Sequence, residues 1–300
     1  MSATREPAVL DRMQPGPVRV ERGAASQDDS RTLVIQPRSG WIAIDWRELW
    51  DSREILGYLV LRDVKVRYKQ TVLGVLWAVL QPLFTMVIFT IIFGRFAKIP
   101  SEGIPYAVFV FAGLLPWTYF SNAVTQASAS LVNQQALLTK IYLPRLFVPG
   151  AAVGGGLIDL AISFIVFLGI MISFGVSPGW GFLALPLLVL LTTAAALGVG
   201  LVLAALTVSY RDFRYVVPFM IQSWMYLSPV IYPVSVVPQR WQWVLAINPM
   251  AGIIDGFRSA LLERPWNFTT LTVSSVSSVL LLAYGLFYFR KTERRFADVA

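Results

Sequence analysis

The chain contains neither cysteine nor histidine among its 300 residues. Without cysteine there is no disulfide framework, no thiolate nucleophile and no thiolate metal site. Without histidine the most common general base and metal ligand are missing as well. Charge is scarce: Asp, Glu, Lys and Arg make up 14% of the chain, against ~25% in an average soluble domain. There is no G-x-x-x-x-G-K-[ST] run to cradle a nucleotide phosphate, and no nucleophile elbow. These absences exclude a His- or Cys-based metalloenzyme, a thiol enzyme and ATP hydrolysis on a Walker-type loop of this chain. No metal site is expected.

Apolar residues, by contrast, make up 56% of the sequence, and mean hydropathy is +0.63. They gather in six runs, near residues 72–94, 105–126, 147–174, 181–207, 214–232 and 270–289. A helix rising 1.5 Å per residue needs roughly 20 residues to cross the hydrocarbon. The expected fold is therefore an all-α polytopic membrane protein with six transmembrane helices, residues 71–290 forming its membrane domain.

The net charge of +8 does not point to nucleic acid, because the basic residues sit beside the ends of the runs. Arg62, Lys65, Arg67 and Lys69 precede the first run, Lys140 and Arg145 lie in the second connection, and Arg211 and Arg214 in the fourth. Arg290, Lys291, Arg294 and Arg295 follow the last. Fewer basic residues fall in the other connections: Arg95, Lys98, Arg240, Arg258 and Arg264. The positive-inside rule then predicts a multi-pass protein with both termini in the cytoplasm. Residues 1–40, with scattered acids among Pro, Gly and Ser and no apolar core, read as a disordered cytoplasmic tail, and 291–300 as a short cytoplasmic one. Residues 41–70 hold an amphipathic stretch with Trp46, Leu49, Trp50, Leu56, Leu59 and Val60 on its apolar side. That pattern suits a helix lying in the headgroup plane, either resting there or also touching a cytoplasmic partner.

Two connections carry pattern of their own. Around 127–146, Leu131, Leu138 and Ile141 form an apolar stripe beside Asn133, Gln134, Gln135 and Lys140. This is either a short cytoplasmic helix presenting a knob to a partner or an extension of the preceding span. Between the fifth and sixth runs, residues 238–247 and 248–262 form two apolar pieces too short to cross. Asn248 followed by Pro249 is a helix start, with a side-chain cap and then a residue whose missing N–H costs nothing at N1. Asp255 and Arg258, three apart, are placed to pair. Such helices read as a re-entrant pair, whose ends need cover from protein or a water-filled cavity, or as a surface-lying decoration.

Within the runs, Gly150 and Gly154, and Ala196, Gly200 and Ala204, are spaced for close helix contact. Pro82 predicts a kink in the first span. Asp159 lies inside the third run, where a carboxylate needs a partner, water or a proton; it is either functional or hydrogen-bonded to a neighbour. Aromatics crowd the second and fifth runs: Trp117, Tyr119 and Phe120, then Trp224, Tyr226 and Tyr232, with Trp241 beyond. Part of this is an interfacial belt, and part is chemically suited to stacking on sugar rings.

Six segments taken in order resemble one family. They are Leu59–Pro82 (LVLRDVKVRYKQTVLGVLWAVLQP), Gly113–Phe120 (GLLPWTYF), Asn133–Pro149 (NQQALLTKIYLPRLFVP), Tyr210–Phe219 (YRDFRYVVPF), Tyr226–Pro233 (YLSPVIYP) and Asn248–Arg258 (NPMAGIIDGFR). They resemble the permease subunits of bacterial ABC-type polysaccharide exporters, which move O-antigen, capsule or teichoic acid. The resemblance covers roughly residues 45–290 and leaves the first 40 without a counterpart. It implies a homodimer in the bacterial cytoplasmic (inner) membrane that recruits two ATP-binding cassette subunits. ATP and Mg would be bound by those partners, with no cofactor in this chain and no catalysis by it. It also implies a lipid-linked glycan substrate. Leu131, Asn133, Gln134, Leu138 and Lys140 would belong to the ATPase-coupling helix, and Arg62, Lys65 and Arg67 to a basic strip at the inner face. Trp241, Asn248, Pro249, Asp255 and Arg258 would form an outer gate, and Trp117, Tyr119, Phe120, Trp224, Tyr226 and Tyr232 would line the channel. The alternatives are an ABC permease for a drug, haem or small lipid, a secondary transporter, and, least compatible with the residues present, a membrane-embedded enzyme.

Overall fold

The computed structural model describes residues 50–69, 76–135, 143–177 and 179–293. Among these residues all regular structure is helical. Helix α1 is Arg53–Lys69, and α2, Leu76–Phe89, continues as a π-helical turn over Thr90–Phe96. Then follow α3 (Tyr106–Asn133), α4 (Phe147–Ser173), α5 (Leu185–Ser209, after a 3-10 turn at Trp180–Ala184), α6 (Phe213–Leu227), α7 (Gln239–Ile247), α8 (Pro249–Leu262) and α9 (Phe268–Glu293). Five segments are long and apolar enough to cross a membrane: Leu76–Phe96, Tyr106–Asn133, Phe147–Ser173, Trp180–Ser209 and Phe268–Glu293. The expected fifth run does not make a sixth of that length. Its helix stops after 15 residues at Leu227, because the chain turns extended at Ser228 ahead of Pro229 and the residue before proline avoids the helical region.

Local chemistry sets several boundaries. The Asn248 side chain accepts from Met250 N at 3.0 Å, and Pro249 takes the first helical position of α8. Asn267 Oδ1 accepts from Thr270 N at 3.2 Å at the start of α9. Helix α4 ends at Gly175, whose φ of 69° permits the closing bonds Gly175 N to Ile172 O and Val176 N to Met171 O, the left-handed glycine stop. Pro82 is inside α2 and deprives Ala78 O of its helical donor; Ser163 Oγ of α4 approaches that carbonyl at 3.4 Å.

Helix α3 is the axis of the bundle. Of its most apolar window 83% is buried, against 6% for α2. It packs on α4 and α5, and α5 packs in turn on α9. Because lipid is as apolar as leucine, these contacts rely on close approach more than on water exclusion, and small residues supply it. A Cβ on Gly198 would stand 2.6 Å from the Leu281 carbonyl, one on Gly285 would collide with Gly198, and one on Gly200 would lie 2.8 Å from Ala127 Cβ.

The same contacts give the directions. Tyr119 meets Thr193 and Ala127 meets Gly200, so α3 and α5 run parallel. Phe111 stacks on Phe167 while Tyr119 OH reaches Val153 O, so α4 runs antiparallel to α3. Helix α6 also runs antiparallel, with Trp224 opposite Phe120 at 5.2 Å between ring centroids and Ile231 O accepting from Tyr106 OH at 2.8 Å. One end of the bundle, called basal below, holds the close of α3 and the start of α4. The other, distal end holds the start of α3 and α8.

Helix α1 lies lengthwise along the first half of α4. Leu56 faces Gly150, Val60 faces Gly154 and Val64 faces Gly155, so the small residues of α4 form the groove that α1 occupies. The expectation of a helix flat in the headgroup plane does not describe this packing. The tryptophan-bearing half of that amphipathic stretch, including Trp46 and Leu49, lies outside the described residues, as do the tails 1–40 and 294–300.

Candidate functional site

Polar side chains inside the apolar bundle fall into three groups. The first gathers where α1 ends. Asp159 of α4 accepts from Arg67 Nη1 and from Tyr68 OH, while Arg67 Nη2 donates to Gln126 Oε1 of α3. Asp159 is 12 residues into α4 and Gln126 seven from the end of α3, a depth of roughly 10 to 18 Å from the basal helix ends. The expected intramembrane acid Asp159 is thus paired with Arg67, one residue of the expected basic strip. Each charge offsets part of the other's penalty there, with Tyr68 and Gln126 satisfying further hydrogen-bonding groups.

The second group lies at the basal edge. Arg62 donates to Asp63 Oδ1 through Nε at 3.0 Å and Nη2 at 2.7 Å, and to Gln134 Oε1 at 2.6 Å. Gln134 Nε2 completes the triangle on Asp63 Oδ2 at 3.3 Å. Of the basic strip, only Lys65, with its neighbour Lys69, stays exposed. The segment read as a possible separate helix begins as an extension of the span, because α3 runs to Asn133. Leu131 is therefore not a knob: it is buried with Leu59, Leu143, Phe147 and Phe289. Asn133 is exposed, and Leu138 and Lys140 lie outside the described residues.

The third group is distal. Residues Ser228 to Ile231 are buried, and non-helical backbone at that depth must find donors. Arg258 provides them. Its guanidinium is fully buried and donates to Pro229 O at 2.7 Å, Val230 O at 2.6 Å, Tyr232 O at 3.2 Å and Phe109 O at 3.3 Å. It also lies 3.7 Å above the Phe109 ring. Gly113 makes room for it, since a Cβ there would stand 2.8 Å from Nη2. The expected Asp255–Arg258 pair is therefore not formed. Asp255 has Arg264 Nη1 at 4.0 Å, and Arg264 in turn pairs with Glu102 of the α2–α3 loop. Burial raises the Asp255 carboxyl above its ordinary pKa, opposed by the charge of Arg258, and burial lowers Arg264.

Asn248 joins α6 to the two short distal helices. Its Oδ1 accepts from Trp224 Nε1 at 3.0 Å as well as from Met250 N, and its Nδ2 donates to Ser228 Oγ at 2.9 Å. Ser274 of α9 then donates to Ala246 O and Asn248 O and accepts from Gly252 N. Pro249 is buried and Trp241 exposed, with Arg240 over its ring at 5.9 Å. The sugar-stacking aromatics divide. Phe120 is fully buried, and Trp117 and Tyr119 nearly so, so they are the bundle's own packing. Tyr226 is exposed, and Trp224 and Tyr232 are partly so.

A cavity of about 250 Å³ opens beside the Arg67–Asp159 pair, lined by residues of α1, α2, α3 and α4. The residue-type signal for it was present in Gln81, Thr118, Asn122 and Gln126, polar side chains inside apolar runs. An apolar groove of about 460 Å³ lies between α4 and the start of α5, walled by Phe164, Phe182, Val189 and Phe257 among others. No cluster of three or more acidic residues suited to a metal occurs among the described residues.

Comparison with known proteins places this architecture. Residues 55–262 match the ABC-2 type transporter family. The O-antigen export system permease protein RfbA of Myxococcus xanthus is 30% identical over 253 residues, covering 82% of this chain and 96% of the relative. RfbA of Klebsiella pneumoniae is 27% identical over 250 residues, with 82% and 95% covered. The polysialic acid transport protein KpsM of Escherichia coli is 24% identical over 237 residues, with 78% and 92% covered. The chain belongs to the ABC-2 type transporter family of membrane permeases.

Proposed function

We propose that this chain is the membrane subunit of an ATP-driven exporter that carries a lipid-linked polysaccharide across the cytoplasmic membrane. The observation that carries the reading is the near full-length match to permeases named for O-antigen export. Two copies line the path, and two separate ATP-binding subunits dock beneath them and hydrolyse the nucleotide.

In this reading the chain crosses six times. The fifth crossing combines α6 with the non-helical residues 228–232, whose carbonyls at Pro229, Val230 and Tyr232 Arg258 satisfies. Support comes from the antiparallel course of α6 along α3, which carries the chain from the basal to the distal end. The basal end is then cytoplasmic, with both termini. Helices α7 and α8 dip into the outer leaflet as a re-entrant pair and form the outer gate with Trp241, Asn248 and Pro249. The coupling contact comprises the segment after Asn133, including Leu138 and Lys140. The Arg62–Asp63–Gln134 triangle ties that segment to α1, so a push from below moves α1 and α3 together. Tyr226, Trp224 and Tyr232 face the glycan, while Trp117, Tyr119 and Phe120 stiffen the wall behind them. With Arg62 and Arg67 neutralised inside the protomer, Lys65 and Lys69 are the cations of α1 left to meet the diphosphate of a lipid carrier.

Deleting the gene in its host tests the reading. Surface polysaccharide should disappear and lipid-linked glycan should accumulate on the cytoplasmic side, and the native chain should reverse both. Normal surface glycan in the deletion strain rejects the reading.

A further inference from the structure

We propose that the cavity among α1, α2, α3 and α4 is a subsite for one neutral sugar ring of the transported glycan; this rests on the exporter reading above. Gln81, Thr118 and Asn122 line it, and no side-chain bond occupies them among the described residues. Thr118 and Asn122, one turn apart on α3, are separated from either end of that helix by at least ~16 Å. Amide and hydroxyl groups at that depth are costly unless a ligand or water meets them.

The chemistry of the wall selects the ligand. The Arg67 charge is already cancelled by Asp159, and Lys65 and Lys69 are not among the lining residues, so nothing spare holds an anion. What remains unbonded is two carboxamides and a hydroxyl, groups that donate and accept at once, as sugar hydroxyls require. Trp77, 56% exposed, adds a ring face for the C–H side of a pyranose. Tyr119 OH is engaged by Thr193 at 2.9 Å, so it competes for no ligand hydroxyl. Gly156 lets the Tyr119 ring pack directly on α4 behind the cavity, since a Cβ there would come within 3.0 Å of it. At about 250 Å³ the cavity falls below the ~300–1,000 Å³ that encloses a drug-sized ligand, so it takes a single ring and not an oligosaccharide. The site is a resting point beside the path, where one ring at a time is held weakly, as conduction requires.

Because the chain has no cysteine, Asn122→Cys introduces its sole thiol. The assembled complex with its ATP-binding subunits, in vesicles, is treated with a small methanethiosulfonate, and labelling of the peptide that carries the new thiol is followed by mass spectrometry. Three conditions are compared: lipid-linked glycan extracted from the host, lipid carrier diphosphate without sugar, and no addition. With glycan at ten times its Kd, labelling should slow about tenfold, and the bare carrier should leave it unchanged. Slowing by the bare carrier overturns the proposal in favour of a headgroup site. Unchanged labelling of the Asn122→Cys complex, under conditions where vesicles of the native complex export the glycan, removes the subsite and leaves the exporter reading standing, whereas absence of export by the native complex strikes that reading first. Thr118→Cys provides the same measurement should Asn122→Cys fail to assemble.

Discussion

The Arg67–Asp159 pair makes a sharp claim about the energetics of this bundle. Removing one partner of a buried ion pair leaves an uncompensated charge and costs roughly 3–5 kcal/mol. The two side chains are 26% and 19% exposed, so the lower end, ~3 kcal/mol, is expected for each. In Arg67→Met, Asp159 keeps only the Tyr68 hydroxyl; in Asp159→Leu, Arg67 keeps only Gln126. Were the two changes independent, the double variant would lose ~6 kcal/mol. A pair that stands in for apolar packing predicts otherwise: Arg67→Met with Asp159→Leu should lose no more than about 1 kcal/mol, or gain. The assay is a double-mutant cycle on the purified chain in one detergent, with unfolding followed by far-UV circular dichroism under reversible conditions. A coupling energy below about 0.5 kcal/mol, the size at which sites count as independent, refutes the reasoning. A pair that matters only for transport would give that result while abolishing export in all three variants.

Other residues carry claims of the same kind. Arg258→Lys keeps the charge but replaces a planar fork reaching four carbonyls with a compact ammonium, and should cost about 2–4 kcal/mol in the same unfolding assay; a loss below about 1 kcal/mol would mean that the 228–232 backbone finds other donors. Gly198→Ala places a Cβ 2.6 Å from the Leu281 carbonyl and should cost ~1–3 kcal/mol by overpacking. Gly57→Ala, with nothing within 4 Å, should be neutral or stabilising by up to ~1 kcal/mol, so equal effects at the two sites would discredit the crossing. Gln134→Leu should leave complex assembly intact, measured by co-purification, while reducing glycan-stimulated ATPase activity and export together; unchanged coupling would dismiss the basal triangle as a relay.

The sequence made the apolar frame legible because a crossing demands a long run with few charges, and α2, α3, α4, α5 and α9 each meet that demand. The fifth run was also apolar, but hydropathy is blind to backbone conformation, and Ser228–Pro229 breaks its last residues, 228–232, into turns. Helix caps at Asn248 and Asn267 depend on near neighbours in sequence and are readable there. Long-range polar pairing is not. Asp159 could be identified as a residue needing a partner, yet nothing local names Arg67, which is 92 positions away. The Asp255–Arg258 spacing even suggested the wrong partner, because a three-residue separation is compatible with pairing without requiring it, and four backbone carbonyls compete for the same guanidinium.

The basic residues sort by chemistry in a way the charge pattern alone hides. Arg62, Arg67, Arg258 and Arg264 all hold internal partners, and Arg145 reaches Glu293 O at 3.0 Å. Lys65 and Lys69 point away from the bundle. A guanidinium is weakly hydrated and presents a rigid fork, so it tolerates burial against carbonyls and carboxylates, whereas an ammonium gives up a tighter hydration shell for fewer directed bonds. Arg62, Arg67 and Arg145 are therefore structural ties that also add to the positive side, while Lys65 and Lys69, like Arg211 and Arg214 around the start of α6, remain exposed charge. An anionic ligand approaching the basal face competes with water at the exposed cations, and with a carboxylate or a carbonyl at Arg62, Arg67 and Arg145. The first exchange is cheap enough to reverse during every transport cycle; the second would unfasten α1 from α3 and α4.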